Sequence, residues 1–287
     1  MRRGDRGIVL GLHRADPDRS LLEHALSLGV RGIDTAYNYR GFSSHRQLAR
    51  VADLLGEFIV STKVGYFPSD GAGQPPQHSL EPARLRQAIE QSVDELGRCP
   101  DVVFLHNPEH TLRDLPAEQA RDRLDTASVT VVEAVAAGWC GAWGIASWDP
   151  RPVAAAIRSD LPPSVLLLRS GLAVAAPILS AADELYRRLD IPHEGRWGMS
   201  PFGGSTTDPA WQAIGQAGFL TDGQQATTAQ VAFRLAYELP AVTRVAVGTT
   251  HRKHLEELVA GTELDVSEAA VARYRQLLSQ QVASTTA

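Results

Sequence analysis

The sequence predicts a closed (β/α)8 barrel, the TIM-barrel architecture, with one additional C-terminal helix. Eight short apolar segments recur along the chain, a longer segment of helical period follows each one, and no Gly/Ser-rich linker interrupts the series. This alternation is typical of parallel strands joined by crossover helices. At about 150 residues per domain the length alone would also allow two domains. We nevertheless interpret residues 1–287 as a single barrel domain, because the repeat is continuous.

The eight predicted strands are short and apolar, as expected for parallel strands buried on both faces. They cover residues 8–12, 30–34, 58–63, 102–106, 142–146, 165–169, 196–200 and 244–248. A doubly wound open sheet is the competing architecture, and it commonly carries a GxGxxG nucleotide motif after its first strand. Residues 11–14 read Gly-Leu-His-Arg instead, so the closed barrel is favoured.

The helices between the strands carry start and stop signals. An Asp-Pro pair at 16–17 predicts the start of the first helix, and Ser79 with Pro82 predicts the start of the third. The helix predicted over 117–137 is followed by Gly138, where a left-handed terminating residue is expected. Further helices are predicted near 44–55, 150–158, 179–188, 226–238 and 251–260, and a last one over about 266–281 that packs outside the repeat.

The composition argues against several classes of partner. The 28 Lys and Arg residues nearly balance the 33 Asp and Glu residues, and no long basic block favours nucleic acid. There is no run of about 18 apolar residues, so no membrane span is expected. Cys99 and Cys140 fit no metal-ligand spacing and are interpreted as reduced, packed thiols of a cytoplasmic protein. His251 and His254 lack a third ligand, so we expect no metal.

Ionisable residues stand at the ends of three predicted strands. Asp34 ends the second strand, Lys63 the third and His106 the fourth. Tyr39 follows Asp34 by five residues, on the loop that leaves the same strand. Each residue alone could be a cap, a solvated strand end or a core histidine. The carboxyl ends of barrel strands converge on one mouth, however, so we predict that the four side chains share one site.

The chemistry of these four groups is mutually consistent. The ammonium of Lys63 is expected to lower the pKa of Tyr39 from its usual value of about 10, which suits the phenol to protonate a developing alkoxide. Asp34 would hold Lys63 charged and in place, and an N–H of His106 would position a carbonyl oxygen beside the phenol. Tyr37 is the rival proton donor, but we interpret it as a packing residue or pocket wall.

The sequence resembles the aldo-keto reductase superfamily. Six segments carry the resemblance, in the family's order, between residues 32 and 257. They are Gly32–Tyr39 (GIDTAYNY), Ser61–Lys63 (STK), Leu105–Pro108 (LHNP), Gly144–Trp148 (GIASW), Met199–Gly203 (MSPFG), and Gly248–Thr250 (GTT) followed by Leu255–Glu257 (LEE). Each motif is weak alone, but together with the interval from Asp34 to Tyr39 they are highly specific.

The resemblance implies a barrel that binds NADPH or NADH without a Rossmann domain. It implies reduction of an aldehyde, ketone or related C=N group of a small molecule by hydride transfer, with Tyr39 as proton donor in a catalytic tetrad with Asp34, Lys63 and His106. The expected cofactor-binding residues are Ser147, Arg169, Ser200, Phe202, Gly203, Gly248, Thr249, Thr250, His254 and Glu257. Tyr66 and Trp148 are expected to line the substrate pocket.

The sequence departs from the family pattern where the nicotinamide carboxamide would be held. The usual Ser-Asn pair is Ala146-Ser147 here, the usual Gln falls on Leu167, and the usual stacking aromatic falls on Met199. Losing two or three polar contacts at about 1 kcal/mol each would weaken cofactor binding by roughly ten- to a hundredfold. The sequence therefore combines an intact tetrad with an altered nicotinamide site.

Three functional hypotheses follow from this combination. The favoured one is a reductase in which Ser147, Arg169 and Trp148 compensate for the lost contacts, because the turns at 200–204 and 248–250 remain suited to phosphates. The others are a non-redox elimination or isomerisation enzyme and a regulatory subunit that binds the cofactor. We expect a cytoplasmic enzyme, a monomer or weak homo-oligomer, that uses NADPH or else NADH.

Overall fold

The computed structural model describes residues 6–13, 15–69, 71, 73–205 and 216–285. Its strands are β1 (Gly7–Gly11), β2 (Gly32–Asp34), β3 (Ile59–Val64), β4 (Tyr66–Phe67), β5 (Gln77–His78), β6 (Val102–His106), β7 (Ala142–Ser147), β8 (Val165–Arg169), β9 (Arg196–Met199) and β10 (Arg244–Val247). Eight of them close into a parallel barrel in the order β1-β10-β9-β8-β7-β6-β3-β2. The predicted fold class is confirmed, and the ends of these eight strands agree with the sequence prediction to within two residues.

The helices alternate with the barrel strands, as predicted. They are α1 (Arg19–Ser27), α2 (Tyr39–Phe42), α3 (Ser44–Ala49), α4 (Ala52–Leu55), α5 (Pro82–Leu96), α6 (Glu109–Leu112), α7 (Ala117–Ala136), α8 (Pro150–Ala156), α9 (Ala176–Arg188), α10 (Thr228–Leu235), α11 (Arg252–Thr262) and α12 (Glu268–Thr285). Helix α1 begins after Asp18, whose side chain accepts a 3.2 Å hydrogen bond from the backbone N–H of Leu21. The helix predicted over 44–55 is divided into α3 and α4, because Val51 leaves helical geometry.

The interior of the barrel is filled by every second residue of its strands. Side chains alternate between the two faces of a strand, so residues two apart point the same way. The interior cluster contains Val9, Val102, Phe104, Ala146, Val165, Leu167, Trp197, Met199 and Ala246. Asp34, Lys63 and His106 continue the same series, since Asp34 pairs with Gly11 and Lys63 with Phe104 in the sheet register. The alternation therefore directs all three towards the mouth.

A small antiparallel hairpin, which the sequence did not predict, lies between β3 and α5. Strands β4 and β5 pair Tyr66 with His78 and Phe67 with Gln77. His78 donates a 2.8 Å hydrogen bond to the carbonyl oxygen of His106. The hairpin is thereby held beside the mouth, with the ring of Tyr66 centred 4.9 Å from that of His106.

The C-terminal helix α12 packs outside the barrel repeat, as predicted. Arg275 forms a 2.8 Å ion pair with Asp183 of α9, and the hydroxyl of Tyr274 donates a 2.8 Å hydrogen bond to the carbonyl oxygen of Leu172. A separate apolar cluster joins the same elements. Across the described ranges, none of the helices has the length and apolarity that crossing a membrane would require.

Candidate active site

Four ionisable side chains, three from barrel strands and one from the start of α2, meet at the barrel mouth. The ammonium of Lys63 is paired with the carboxylate of Asp34 and lies 3.2 Å from the hydroxyl of Tyr39. A third contact, of 2.8 Å, joins it to the carbonyl oxygen of Thr35. The ring of His106 is centred 6.0 Å from that of Tyr39. The structure therefore brings together the four residues that the sequence singled out.

Local structure positions Tyr39 and Asp34. Tyr39 begins the short helix α2, which residues 35–38 connect to β2, and its backbone N–H donates to the carbonyl oxygen of Ala36. Ser61, two residues before Lys63 on the same face of β3, donates a 2.8 Å hydrogen bond to Asp34. The carboxylate of Asp34 is thus held from two directions, by a hydroxyl and by an ammonium.

The buried ion pair sets the charge of Lys63. Its side chain is 3% exposed. Burial alone would lower the pKa of Lys63, but the charges and hydrogen bonds of Asp34 and Tyr39 together outweigh burial and raise that pKa. Lys63 therefore stays an ammonium.

The pKa of Tyr39 differs from the sequence prediction. Burial raises the pKa of Tyr39, and although Lys63 acts in the expected, lowering direction, its effect is the smaller one. The prediction of a net lowering was wrong, because it counted the neighbouring charge and omitted the loss of solvent. A phenol with a raised pKa is protonated at neutral pH, which is the form that a proton donor needs.

His106 is a neutral imidazole. Its pKa lies well below 6.5, first because the ring is buried and second because Lys63 is close. A neutral imidazole carries one N–H and one bare nitrogen, so it can donate to a carbonyl oxygen without adding charge. Its Nδ1 is buried without a hydrogen-bond partner among the described residues.

A cavity of about 870 Å³ begins at this cluster and extends across the mouth. The predicted residues that line it are Asp34, Tyr39, Lys63, Tyr66, His106, Trp148, Ser200, Phe202, Gly248, Thr249, Thr250, His254 and Glu257. Ser147, Arg169 and Gly203 are not among its lining residues. The cavity thus connects the ionisable cluster with the start of α11 and the turn that follows β9.

Ser147 turns away from the cavity. It follows the interior residue Ala146, so alternation along β7 directs it outward. Its hydroxyl donates a 2.8 Å hydrogen bond to Glu109, which is fully buried and also accepts from the backbone N–H groups of Trp148 and Asp149. Glu109, which sequence reasoning missed, therefore fixes the segment that carries Trp148. The sequence contains no signal for this, because the contacts arise only in the fold.

Arg169 belongs to the interior series, two residues beyond Leu167. Its guanidinium lies 5.2 Å from the ring centroid of Trp148, a cation–π contact. The Nε of Arg169 is buried, with no hydrogen-bond partner in the part of the chain that is described. Ala146, Leu167 and Met199 belong to the apolar interior cluster, and Met199 pairs with Arg169 in the sheet register. Their side chains offer no amide to a ligand.

The far end of the cavity is built from two turns. Helix α11 follows His251, whose backbone N–H donates a 3.1 Å hydrogen bond to the hydroxyl of Thr249. Ser200 adopts a left-handed backbone with φ 54°, which bends the chain at the end of β9. The positive end of a helix dipole and the free N–H groups of a first helical turn favour an anion. Among the described residues, no group of three or more His, Cys, Asp or Glu could hold a metal ion.

The fold and the site define a class, a TIM-barrel protein with an ionisable cluster at the mouth of the barrel. The Aldo/keto reductase family matches residues 14–170, more than half of the 287 residues, and the chain belongs to this family. Family membership makes it an oxidoreductase. No curated protein matches the sequence.

Solved structures share the fold at low sequence identity. The holo form of an aldo-keto reductase from Bacillus halodurans is 16% identical, covers 94% of this chain and 91% of its own, and superimposes with a TM-score of 0.72. An aldo-keto reductase from Klebsiella pneumoniae, solved in complex with NADPH, is 16% identical with coverage of 95% and 90% and a TM-score of 0.66. An aldose reductase from Giardia lamblia is 14% identical, with 96% and 94% covered and a TM-score of 0.67.

Proposed function

We propose that this chain reduces an aldehyde, ketone or related C=N group of a small molecule by hydride transfer from NADPH, with Tyr39 as the proton donor. The observation that carries the proposal is the hydroxyl of Tyr39 in contact with the Lys63–Asp34 ion pair, beside a neutral His106 on the same cavity. Bound NADPH would supply the hydride.

Each of the four residues then has a distinct task. The N–H of His106 orients the carbonyl oxygen of the substrate beside the phenol. Tyr39 donates its proton to that oxygen as negative charge develops there, and becomes a phenolate. The ammonium of Lys63 stabilises the phenolate, while Asp34 keeps Lys63 charged and in position. The cation matters most after proton transfer, since it then faces a negative oxygen.

The far end of the cavity suits the phosphates of the cofactor. We assign Ser200 and Phe202, which line the cavity, to the pyrophosphate, with Gly248, Thr249 and Thr250 on the turn before α11. Gly203, which does not line the cavity, is assigned to the turn that carries Phe202. His254 and Glu257, on the first turns of α11, are assigned to the adenosine end. NADPH is supported by the family and by the Klebsiella protein, which was solved with NADPH.

The nicotinamide end is supported by a different set of groups. Ala146, Leu167 and Met199 leave this end apolar, and Ser147 is turned towards Glu109. We assign the compensating contact to Trp148, which lines the cavity. Arg169 does not line the cavity, and we assign it the role of holding the ring of Trp148 through the 5.2 Å cation–π contact.

The test begins with titration of the protein by NADPH and NADH, followed by fluorescence. Tyr39→Phe should then lower kcat by at least about a hundredfold, with little change in cofactor Kd, because the phenol acts on the substrate oxygen. Tyr37→Phe is the matched control, since Tyr37 donates its hydroxyl to Gln91 and does not line the cavity.

Two outcomes would contradict the proposal. Binding of neither cofactor would favour a non-redox reaction of the tetrad. Cofactor binding with slow turnover that Tyr39→Phe leaves unchanged would favour a regulatory subunit.

A further inference from the structure

We propose that His78 is a positioning residue for His106: by holding the backbone carbonyl of His106, it keeps that imidazole in place at the cavity. The inference rests on the proposed reductase function and deepens it, since it names the group that holds the imidazole that orients the substrate. His106 lines the cavity and His78 does not, so His78 acts through His106 and not on the substrate.

The ring of His106 lacks the hydrogen bond that usually orients an imidazole in an active site. One ring nitrogen commonly acts on the ligand while a hydrogen bond to the other fixes the tautomer and the direction of the ring. The Nδ1 of His106 is buried and has no hydrogen-bond partner among the described residues. The direction of this ring therefore depends on the backbone of His106 and on the side chains packed around it.

The backbone of His106 is held at the peptide bond that joins it to Asn107. The carbonyl oxygen of this peptide accepts a 2.8 Å hydrogen bond from Nε2 of His78, and its N–H donates a 2.7 Å hydrogen bond to the carbonyl oxygen of Ala146. Asn107 has a φ of 50°, so the chain turns here instead of continuing β6. Because the peptide is planar and held on both sides, it cannot rotate without breaking one of the two bonds.

The tautomer of His78 is set by its two partners. A carbonyl oxygen only accepts, so Nε2 of His78 carries the proton. Burial lowers the pKa of His78 to about 4, which keeps the ring neutral and its Nδ1 bare. This Nδ1 lies 2.7 Å from the hydroxyl of Thr111 in α6, which donates to it. His78 thereby joins the hairpin of β4 and β5 to both β6 and α6.

The start of the hairpin allows this close approach. Gly65, between β3 and β4, has a φ of 145°, and a Cβ there would lie 3.0 Å from the carbonyl oxygen of His106 and 3.3 Å from Nε2 of His78. Only glycine leaves that space free. The carbonyl oxygen of Gly65 accepts a 2.8 Å hydrogen bond from the N–H of Ser79, which closes the hairpin next to His78. The hairpin thus presents a hydrogen-bond donor to the backbone of His106.

Two substitutions of His78 each keep one of its two hydrogen bonds. The amide of glutamine reaches the place of Nε2, so His78→Gln keeps a donor for His106. The shorter amide of asparagine reaches the place of Nδ1, so His78→Asn keeps only the contact with Thr111. With NADPH and benzaldehyde, we expect His78→Asn to lower kcat by about ten- to a hundredfold, because the imidazole is misplaced. His78→Gln should stay close to the wild type.

Thr111→Val is the matched control. It removes the other hydrogen bond of His78 and leaves the bond to His106, so kcat should be kept. Neither His78 nor Thr111 lines the cavity, so the Kd of the cofactor should be the same in all three variants. A loss of kcat in Thr111→Val as large as in His78→Asn would overturn the inference.

Nuclear magnetic resonance separates this inference from the proposed reaction, because it needs no turnover. The ring C–H signal of His106, assigned by its loss in His106→Gln, should be single in the wild type, in His78→Gln and in Thr111→Val. It should be broadened or doubled in His78→Asn, whose His106 ring takes up more than one orientation. This pattern would support the inference even if no aldehyde were reduced, an outcome that would refute the reductase alone.

Urea denaturation shows whether each variant folds. Should His78→Asn not fold, His78→Met replaces it, because methionine fills the space of the ring without supplying a donor. Equal His106 signals in the asparagine and glutamine variants would overturn the inference. So would equal kcat values in an active enzyme, or losses of kcat that follow the free energy of unfolding instead of the bond to His106.

Discussion

The acid–base character of Tyr39 is decided by two opposed effects on one side chain. Burial favours the neutral phenol, and the ammonium of Lys63 favours the phenolate, with burial the larger effect. This balance suits a proton donor, because burial keeps the phenol protonated before the reaction and Lys63 stabilises the phenolate after it. In the proposed reaction, Lys63 therefore lowers the barrier by stabilising the phenolate, and it does not deprotonate the resting phenol.

Lys63→Met should separate the chemical from the structural contribution of the ion pair. We expect kcat to fall by at least about a hundredfold, because the phenolate loses its cation. We also expect the free energy of unfolding to fall by about 3–5 kcal/mol, because the buried carboxylate of Asp34 is left unpaired. Steady-state kinetics and urea denaturation measure the two effects.

The double variant Asp34→Asn with Lys63→Met provides the control. Removing both charges should restore most of the stability and none of the turnover, since neither side chain is then a buried, unpaired ion. A double variant as unstable as Lys63→Met alone would contradict this account of the pair.

At the scale of strands and loops, the features that could be predicted are those with a regular repeat in the sequence. The eight barrel strands were predictable because apolar segments alternate with helical ones, and the tetrad followed because three strands end in ionisable residues. Ser147 was predicted to contact the cofactor, but the structure buries its hydroxyl against Glu109. The error concerns which face of β7 a residue occupies, and the alternation that includes Ala146 could have indicated it.

Other features carried no periodic signal. The hairpin of β4 and β5 has two residues in each strand, too few for any alternation to be read. The role of Glu109 depends on which backbone groups the fold brings to it, and no local pattern encodes those contacts. Sequence reasoning therefore found the ionisable cluster but missed the residues that hold and surround it.

The packing of β7 against its neighbours gives a prediction at this scale. A Cβ added at Gly144 would lie 2.4 Å from the carbonyl oxygen of Val165 and 2.6 Å from the ring of Phe104. Gly144→Ala should therefore destabilise the protein by about 1–3 kcal/mol, through overpacking of the barrel interior. Gly56→Ala is the control, because a Cβ at Gly56 meets no atom within 4 Å and its φ of −62° suits alanine. Equal urea midpoints for the two variants would contradict this assignment.

Across the described part of the molecule, the fold keeps the buried His45 and His106 and the half-buried His78 neutral. His45 is 1% exposed, and its Nε2 lies 2.7 Å from the hydroxyl of Thr62. Burial, with the nearby charges of Arg46 and Lys63, lowers the pKa of His45 to about 4. Burial likewise lowers the pKa of His78 to about 4, and burial lowers the pKa of His106 well below its usual value. In the unfolded chain each imidazole would take up a proton near pH 6.5.

Acid should therefore destabilise the protein well above the pH at which its carboxylates titrate. Between pH 6.5 and about 4 the unfolded state binds more protons than the folded state, so stability falls as the pH falls, by about 1.4 kcal/mol per pH unit for each fully buried histidine. His45 does not line the cavity, and His45→Gln keeps a polar group near Thr62. This variant should reduce the slope by about 1.4 kcal/mol per pH unit, the contribution of one histidine. Urea denaturation of both proteins at pH 7, 6 and 5 measures the slopes. Parallel slopes would show that the pKa of His45 is the same in the folded and unfolded states. His45 would then have no part in the acid sensitivity.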